Sequence, residues 1–168
     1  SASGGKFFLQ DNRETPDTLE VLYEYPKFVM VYSSRECNAR GVEGKGYGIE
    51  FHGTLGTLLL DRAGFEIFPE FRREGDEYIP RTTAMRAPTS DQHATHVRNF
   101  LDCVKSRQRP VSDIEIGHRS TTAPHLGNIA FRTGQKIYWD PAAEKLLRPT
   151  PEAAALLGRE YRRPWTLP

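Results

Sequence analysis

A chain of 168 residues, 38% hydrophobic and with a formal net charge of +1, is long enough for one domain or at most two small ones, with a core that needs neither disulfide nor metal. Its basic residues are interleaved with acidic ones, as in Arg72-Arg73-Glu74 and Arg159-Glu160, so the balance excludes a strong pull toward nucleic acid or an anionic membrane. No apolar run approaches membrane-spanning length, and neither nucleic acid nor membrane is expected as a partner. Cys37 and Cys103 stand far apart with no Cys-x-x-Cys, which fits a reducing compartment or two small core residues. The first residues show no charged segment followed by an apolar one, so a cytoplasmic location is expected, with export of a longer parent left open.

Along the chain, Lys6 to Leu9 reads as a short strand and Gln10 to Asp17 as a polar loop. Leu19, Val21, Tyr23 and Tyr25 recur with strand periodicity, Pro26-Lys27 reads as a turn, and Phe28 to Arg35 is a second strand, so the two predict an antiparallel hairpin. The segment from Asn38 to Gly48 is a glycine-rich loop. Strands are expected at 49–52, 57–60 and 65–68, the first two joined through Gly53-Thr54-Leu55-Gly56, which makes about six strands in a meander. Residues 69–90 are polar and proline-punctuated and predict a long connection.

Thr89 or Ser90 can N-cap a helix reaching Ser106, with Ala94, Val97, Phe100, Leu101 and Val104 on one stripe. Ser112-Asp113-Ile114-Glu115 reads as a capping box opening a helix that stops near Arg132 at Gly134, with Pro124 expected to kink or split it. Lys136 to Trp139 predicts a last strand, and Thr150-Pro151-Glu152 a short final helix. Strands first and helices last predict an α+β fold, a largely antiparallel open sheet with helices on one face. Phe28, Met30 and Tyr32 alternate with Val29 and Val31, so both faces are apolar and the uncovered one is expected to meet another subunit or another domain.

The strand–Gly-x-x-Gly–strand element from Ile49 to Leu60, and the run His96 to Val104 followed by Arg109-Pro110-Val111-Ser112-Asp113, resemble the late part of the glucose–fructose oxidoreductase / inositol dehydrogenase (Gfo/Idh/MocA) family. The segments Asp11 to Asp17, His125 to Ala130 and Arg159 to Trp165 are similar to a bacterial subgroup of it, so the resemblance covers nearly the whole chain. It implies an α+β C-terminal domain like that of glyceraldehyde-3-phosphate dehydrogenase. In the family an N-terminal Rossmann domain binds NAD or NADP through a glycine-rich turn. A Glu-Lys-Pro motif there supplies a catalytic lysine, and an Asp-x-x-x-His motif a proton-transferring histidine. Substrates are sugars, inositols and related polyols, and the C-terminal domain walls the substrate site and commonly forms the oligomer interface.

The chain departs from the full pattern. Gly44-x-Gly46-x-Gly48 has the wrong spacing for a dinucleotide fingerprint, no Glu-Lys-Pro occurs, and Asp91–His96 and Asp113–His118 are each one residue too long. Residues 1–168 are therefore expected to form a single substrate-side and oligomerisation domain with no catalytic, cofactor-binding or metal residue of its own. NAD or NADP is expected only for the full-length parent, because the cofactor carries the chemistry. The expected partners are that Rossmann domain and further copies of the chain, met through the open sheet face.

The resemblance also implies that the loop holding Lys45 and Tyr47 approaches substrate, where a donor and an aromatic face suit a sugar hydroxyl or carboxylate; a mobile hairpin loop is the plainer reading. Arg13, between Asp11 and Asp17, serves either substrate binding or an ion-paired loop. His118 and His125, seven apart, are either polar contacts at the site or half-buried hydrogen-bonded histidines. Glu50 and His52 share a strand face and are expected at an oligomer interface. His93 and His96 lack further ligands at zinc-binding spacing and read as solvated. Trp139 and Trp165 are expected to anchor packing, the second by stapling the tail to the body. Two other functions fit the composition: a free-standing carbohydrate-binding or scaffold module, and a small glycoside hydrolase using Glu50 with a second carboxylate.

Overall fold

The computed structural model describes residues 1–166 and has the expected α+β character, with antiparallel strands followed by helices. The chain forms two compact units, one made of Ser1–Cys37 with the chain from Ser112 onward, the other of Asn38–Val111.

In the first unit, β1 (Ala2–Gly5), β2 (Thr18–Glu24) and β3 (Val29–Arg35) form an antiparallel sheet in that order. The β2–β3 hairpin has the expected register, with Val21 opposite Tyr32 and Tyr23 opposite Met30. Helix α2 (Ile114–Thr133) covers this face. It approaches closely at Gly127, where a Cβ would lie 2.6 Å from the Tyr23 hydroxyl and 3.1 Å from Val21. Tyr23 donates to the Ala123 carbonyl at 2.9 Å, and its burial pushes the phenol pKa up. The hairpin β10 (Tyr138–Asp140) and β11 (Lys145–Leu147) and the short α3 (Pro151–Ala155) pack a small core of Ile129, Leu146 and Ala153, with Leu126, Ile137 and Trp139 against it.

The second unit holds the sheet β4 (Ile49–His52), β5 (Gly56–Asp61), β6 (Gly64–Pro69) and β9 (Met85–Pro88). A separate hairpin, β7 (Phe71–Glu74) with β8 (Glu77–Pro80), turns at Gly75, and α1 (Gln92–Ser106) follows. Gly64 has φ 148°, and a Cβ there would sit 2.1 Å from the Ala87 carbonyl, so the tight β5–β6 turn beside β9 requires glycine.

Several expectations change. Lys6 to Leu9 is a loop, and the first strand lies just before it: the buried Asp17 carboxylate accepts the amides of Phe8 and Leu9 at 2.8 and 2.9 Å and so withdraws them from a ladder. Residues 69–90 hold three strands instead of one connection, with Pro69, Pro80 and Pro88 at strand ends, where no ladder bond is lost. The N-cap of α1 is Asp91, whose carboxylate accepts from Ala94 at 3.0 Å, not Thr89 or Ser90. At α2 the cap is Asp113, bonding the Glu115 and Ile116 amides at 2.8 and 3.1 Å, while Glu115 pairs forward with Arg119 and not back as a capping box requires.

Pro124 does not split α2, because the carbonyl it leaves without a donor belongs to exposed Ser120. The strand near Lys136 begins at Tyr138 and is not the last, because Asp140 caps a turn at Ala142 and Ala143 that leads into β11. Trp165 is 67% exposed and staples nothing among the described residues, whereas Trp139 does pack on the core.

Few side chains are buried. The hydrophobic ones are Val21, Leu59, Ile129, Ala130, Leu146 and Ala153 among the described residues, and the chain exposes 13982 Å². Two folded bodies of half its mass each would expose about 10,000 Å² between them. The excess is apolar in good part, since Phe28, Val29, Val31, Ile49, Phe51, Met85 and Phe100 are all more than half or about half exposed.

Asp17 provides a test of how the first unit is held. The amides of Leu9 and Phe8 hold its carboxyl at about 2, below the ordinary value of 3.8, so its contribution to stability is complete above pH ~4 and is lost as pH falls through 2. Asp17→Ala is expected to lower Tm by about 5 °C at pH 7. In thermal unfolding followed by circular dichroism, the gap to the parent should narrow as the buffer approaches pH 2.

Candidate functional site

The glycine-rich loop is closed by its own backbone. Gly41 donates to the Lys45 carbonyl at 2.8 Å and Lys45 to the Val42 carbonyl at 2.9 Å, around a turn at Val42–Gly44. Glu43 and Gly44 take positive φ of 47° and 77° there. The loop lies over Leu59, which is 2% exposed and meets Gly48.

From this loop Lys45 reaches Asp61 at the end of β5, Nζ to Oδ2 2.7 Å. Asp61 also accepts the amides of Ala63 and Gly64 at 2.7 and 3.0 Å. The Lys45 ammonium holds the Asp61 carboxyl below its ordinary range; burial opposes this and the amides assist. The Arg62 guanidinium stands 5.8 Å from the centre of the Tyr47 ring. A groove of about 270 Å³ opens here, lined by Lys45, Asp61, Phe65, Glu66 and Arg86 among others. Glu66 and Arg86 are cross-strand partners, yet neither has an ion-pair or hydrogen-bond partner among the described residues. The arrangement offers an ammonium, a guanidinium and two carboxylates. Such a groove can hydrogen-bond a polyhydroxyl ligand; it presents no activated nucleophile.

The sheet beneath sorts its side chains by face. One cross-strand row is Glu50–Leu59–Glu66–Arg86, continued by His52 and Thr57 on one side and by Asp61 on the other. Glu50 and His52 therefore lie on the polar face, 3.5 Å apart, with His52 Nδ1 3.2 Å from the Thr57 hydroxyl. The opposite face carries the rows Ile49–Leu60–Phe65–Ala87 and Phe51–Leu58–Ile67–Met85, without a polar side chain.

The other residues singled out from the sequence belong to the first unit. Arg13 pairs with Asp11 at 2.7 Å and with Glu36 at 3.7 Å, and Lys6 pairs with Asp11 at 3.1 Å, so this arginine ties a loop together while remaining partly exposed. His118 and His125 share one exposed face of α2, and His118 meets Glu144 at 3.1 Å. The half-buried setting considered for these histidines is absent, since both are exposed. Glu66 and Arg86 went unnoticed in the sequence; strand alternation would have found them only once 85–88 was known to be a strand.

The Lys45–Asp61 pair can be checked directly. Lys45→Met should move the Asp61 carboxyl upward toward its ordinary value, read from its side-chain carbon shift in an NMR titration, with the Ala63 and Gly64 amides still holding it partly down.

Residues 59–167, well over half of the chain, fit the family model described as "Oxidoreductase family, C-terminal alpha/beta domain", that of Gfo/Idh/MocA proteins. No curated protein and no solved structure matches.

Proposed function

The chain belongs to the Gfo/Idh/MocA oxidoreductase family, of which it carries the C-terminal alpha/beta domain, and we propose that it is the substrate-side and oligomerisation half of an NAD(P)-dependent sugar or polyol oxidoreductase. The family match carries this reading, and the groove at Lys45 and Asp61 supports its substrate-side part. A sugar or polyol presents many hydroxyls and no charge, and a groove alternating cations with carboxylates can donate to some and accept from others. Lys45 and Tyr47 are proposed as substrate contacts in this unit, their side chains being accessible or only partly engaged.

The form of the glycine-rich loop speaks against a dinucleotide turn there. The glycine-rich loop runs into strand β4 and not into a helix, and it spends its Gly41 and Lys45 amides on its own carbonyls, so they are not available to a pyrophosphate. NAD or NADP is accordingly assigned to a Rossmann partner domain, which brings the hydride acceptor. This chain's part is to bind, orient and enclose the substrate, and alone it is inactive.

Calorimetric titration of the chain with NAD+ and NADH at up to millimolar concentration is expected to give no binding; a micromolar Kd would overturn the assignment. In a protein that joins this domain to its Rossmann partner, Lys45→Ala should raise KM about tenfold, the loss of a charge-assisted hydrogen bond, with a smaller change in kcat. An unchanged KM would remove Lys45 from the substrate site.

A further inference from the structure

Glu66 on β6 and Arg86 on β9 stand directly opposite each other in the register, where Cβ atoms are about 5 Å apart. Opposite charges so placed ordinarily pair. Elsewhere in this chain they pair from a worse position: Arg35 stands opposite Thr18, diagonal to Glu20, and still meets Glu20 at 3.1 Å. Glu66 and Arg86 form no ion pair or hydrogen bond with each other or with any other described residue. Both instead line the groove beside the Lys45–Asp61 pair.

We infer that Glu66 and Arg86 are a specificity-determining pair that together grip one vicinal diol of an uncharged, single-ring ligand. This rests on the reading of the groove as a substrate site and deepens it by naming the hydroxyl pattern the site selects.

The donor and acceptor inventory is the first argument. A carboxylate only accepts, through two oxygens, and a guanidinium only donates, through a planar fork. A hydroxyl does both. Two hydroxyls on adjacent carbons, set between the pair, each donate to one Glu66 oxygen and each accept from one Arg86 N–H. A ligand carboxylate suits Arg86 but is repelled by Glu66, and an ammonium meets the reverse. On a six-membered ring, equatorial hydroxyls on alternate carbons stand too far apart to share one carboxylate.

Charge and size are the second argument. Lys45 and Asp61 are engaged with each other at 2.7 Å, so the capacity left for a ligand is that of Glu66 and Arg86. The two cations and two carboxylates of the groove cancel, and a charged ligand finds no net counter-charge there. The groove's volume of about 270 Å³ lies just below the roughly 300–1,000 Å³ of sites that enclose drug-sized ligands, which suits one ring.

Nitrogen-15 NMR of the whole chain tests this, read at the Arg86 side-chain Nε–H and the Glu66 amide. Methyl β-D-glucopyranoside should shift both, with a Kd of a few millimolar, the order for about a dozen non-hydrogen atoms. Cyclohexane-1,3,5-triol in its all-equatorial form, which has no adjacent hydroxyls, should bind at least tenfold more weakly. Methyl β-D-glucuronide, the same sugar ring with a carboxylate, should bind no more tightly than the glucoside. Glu66→Gln replaces one acceptor oxygen by a donor, and Arg86→Lys keeps the charge but loses the fork. Each should weaken the glucoside about tenfold and leave the triol's own affinity unchanged, a loss of selectivity that general damage to the sheet would not produce. Arg72→Gln, on the separate β7–β8 hairpin, should change neither.

No shift with the glucoside up to about 100 mM, equal affinity for glucoside and triol, tighter binding of the glucuronide, or an unchanged glucoside affinity in either variant would each overturn the inference. The comparison of glucoside with triol is made on the unmodified chain and stands even if a variant misfolds. Binding of NAD+ or NADH to this chain, which would sink the functional reading, alters none of these preferences, so the two can fail separately.

Discussion

The alternation of side chains along a β-strand is the constraint on which the second unit depends. Because the period is two, the register that sets Glu50 opposite Leu59 also fixes where Phe51, Leu58, Ile67 and Met85 must point. A one-residue slip would exchange the faces, bringing charge onto the apolar side and phenylalanine onto the polar one. The register is pinned at both ends of β5. At one end Gly53 donates to the Gly56 carbonyl at 2.9 Å; at the other, Asp61 takes the amides of the turn into β6. The same Asp61 carboxylate anchors Lys45, so one residue fixes the sheet's register and the groove built on it.

The first unit is ordered by different means. Its core is small, and two close contacts do much of what a larger core would do elsewhere. Gly127 lets α2 approach the sheet closely enough for Tyr23 to reach the Ala123 carbonyl. Asp17, 1% exposed, gathers amides from the preceding loop and leaves Phe7 and Phe8 in solvent, 72% and 73% exposed. Polar bonds of this kind specify geometry at little gain in apolar burial, which is consistent with a chain that exposes far more surface than independent bodies of its mass.

Much of the fold was legible in the sequence where local chemistry decides it. The β2–β3 hairpin, strands β4 to β6, the extent of α1, the Gly134 stop of α2 and the Thr150 cap of α3 all follow from alternation, helix periodicity and capping residues. What was not legible depends on distant partners or on ambiguous pattern. Phe7, Phe8 and Leu9 have strand composition, and only a carboxylate several residues later prevents the ladder. Strands β7 and β8 are exposed on both faces, so their residues alternate in no readable way. The groove was legible in half: Lys45 and Tyr47 stood out in their loop, whereas Glu66 and Arg86 acquire meaning only when β9 pairs with β6.

The separation of the two sheet faces gives one small sheet two surfaces of different chemistry. A face that carries Glu50, Asp61 and Glu66 is matched by water, because its polar groups can hydrogen-bond to it. A face of apolar side chains has no such match. Placing both on one four-stranded sheet makes the strand period itself the partition between them. Residues at odd spacing along β5, such as Leu58 and Asp61, then stand on different faces, and a substitution on one face leaves the side chains of the other where they were. The two faces can thus be altered independently on a single small sheet, a property that a helix, with its stripe grading into its flanks every 3.6 residues, does not provide.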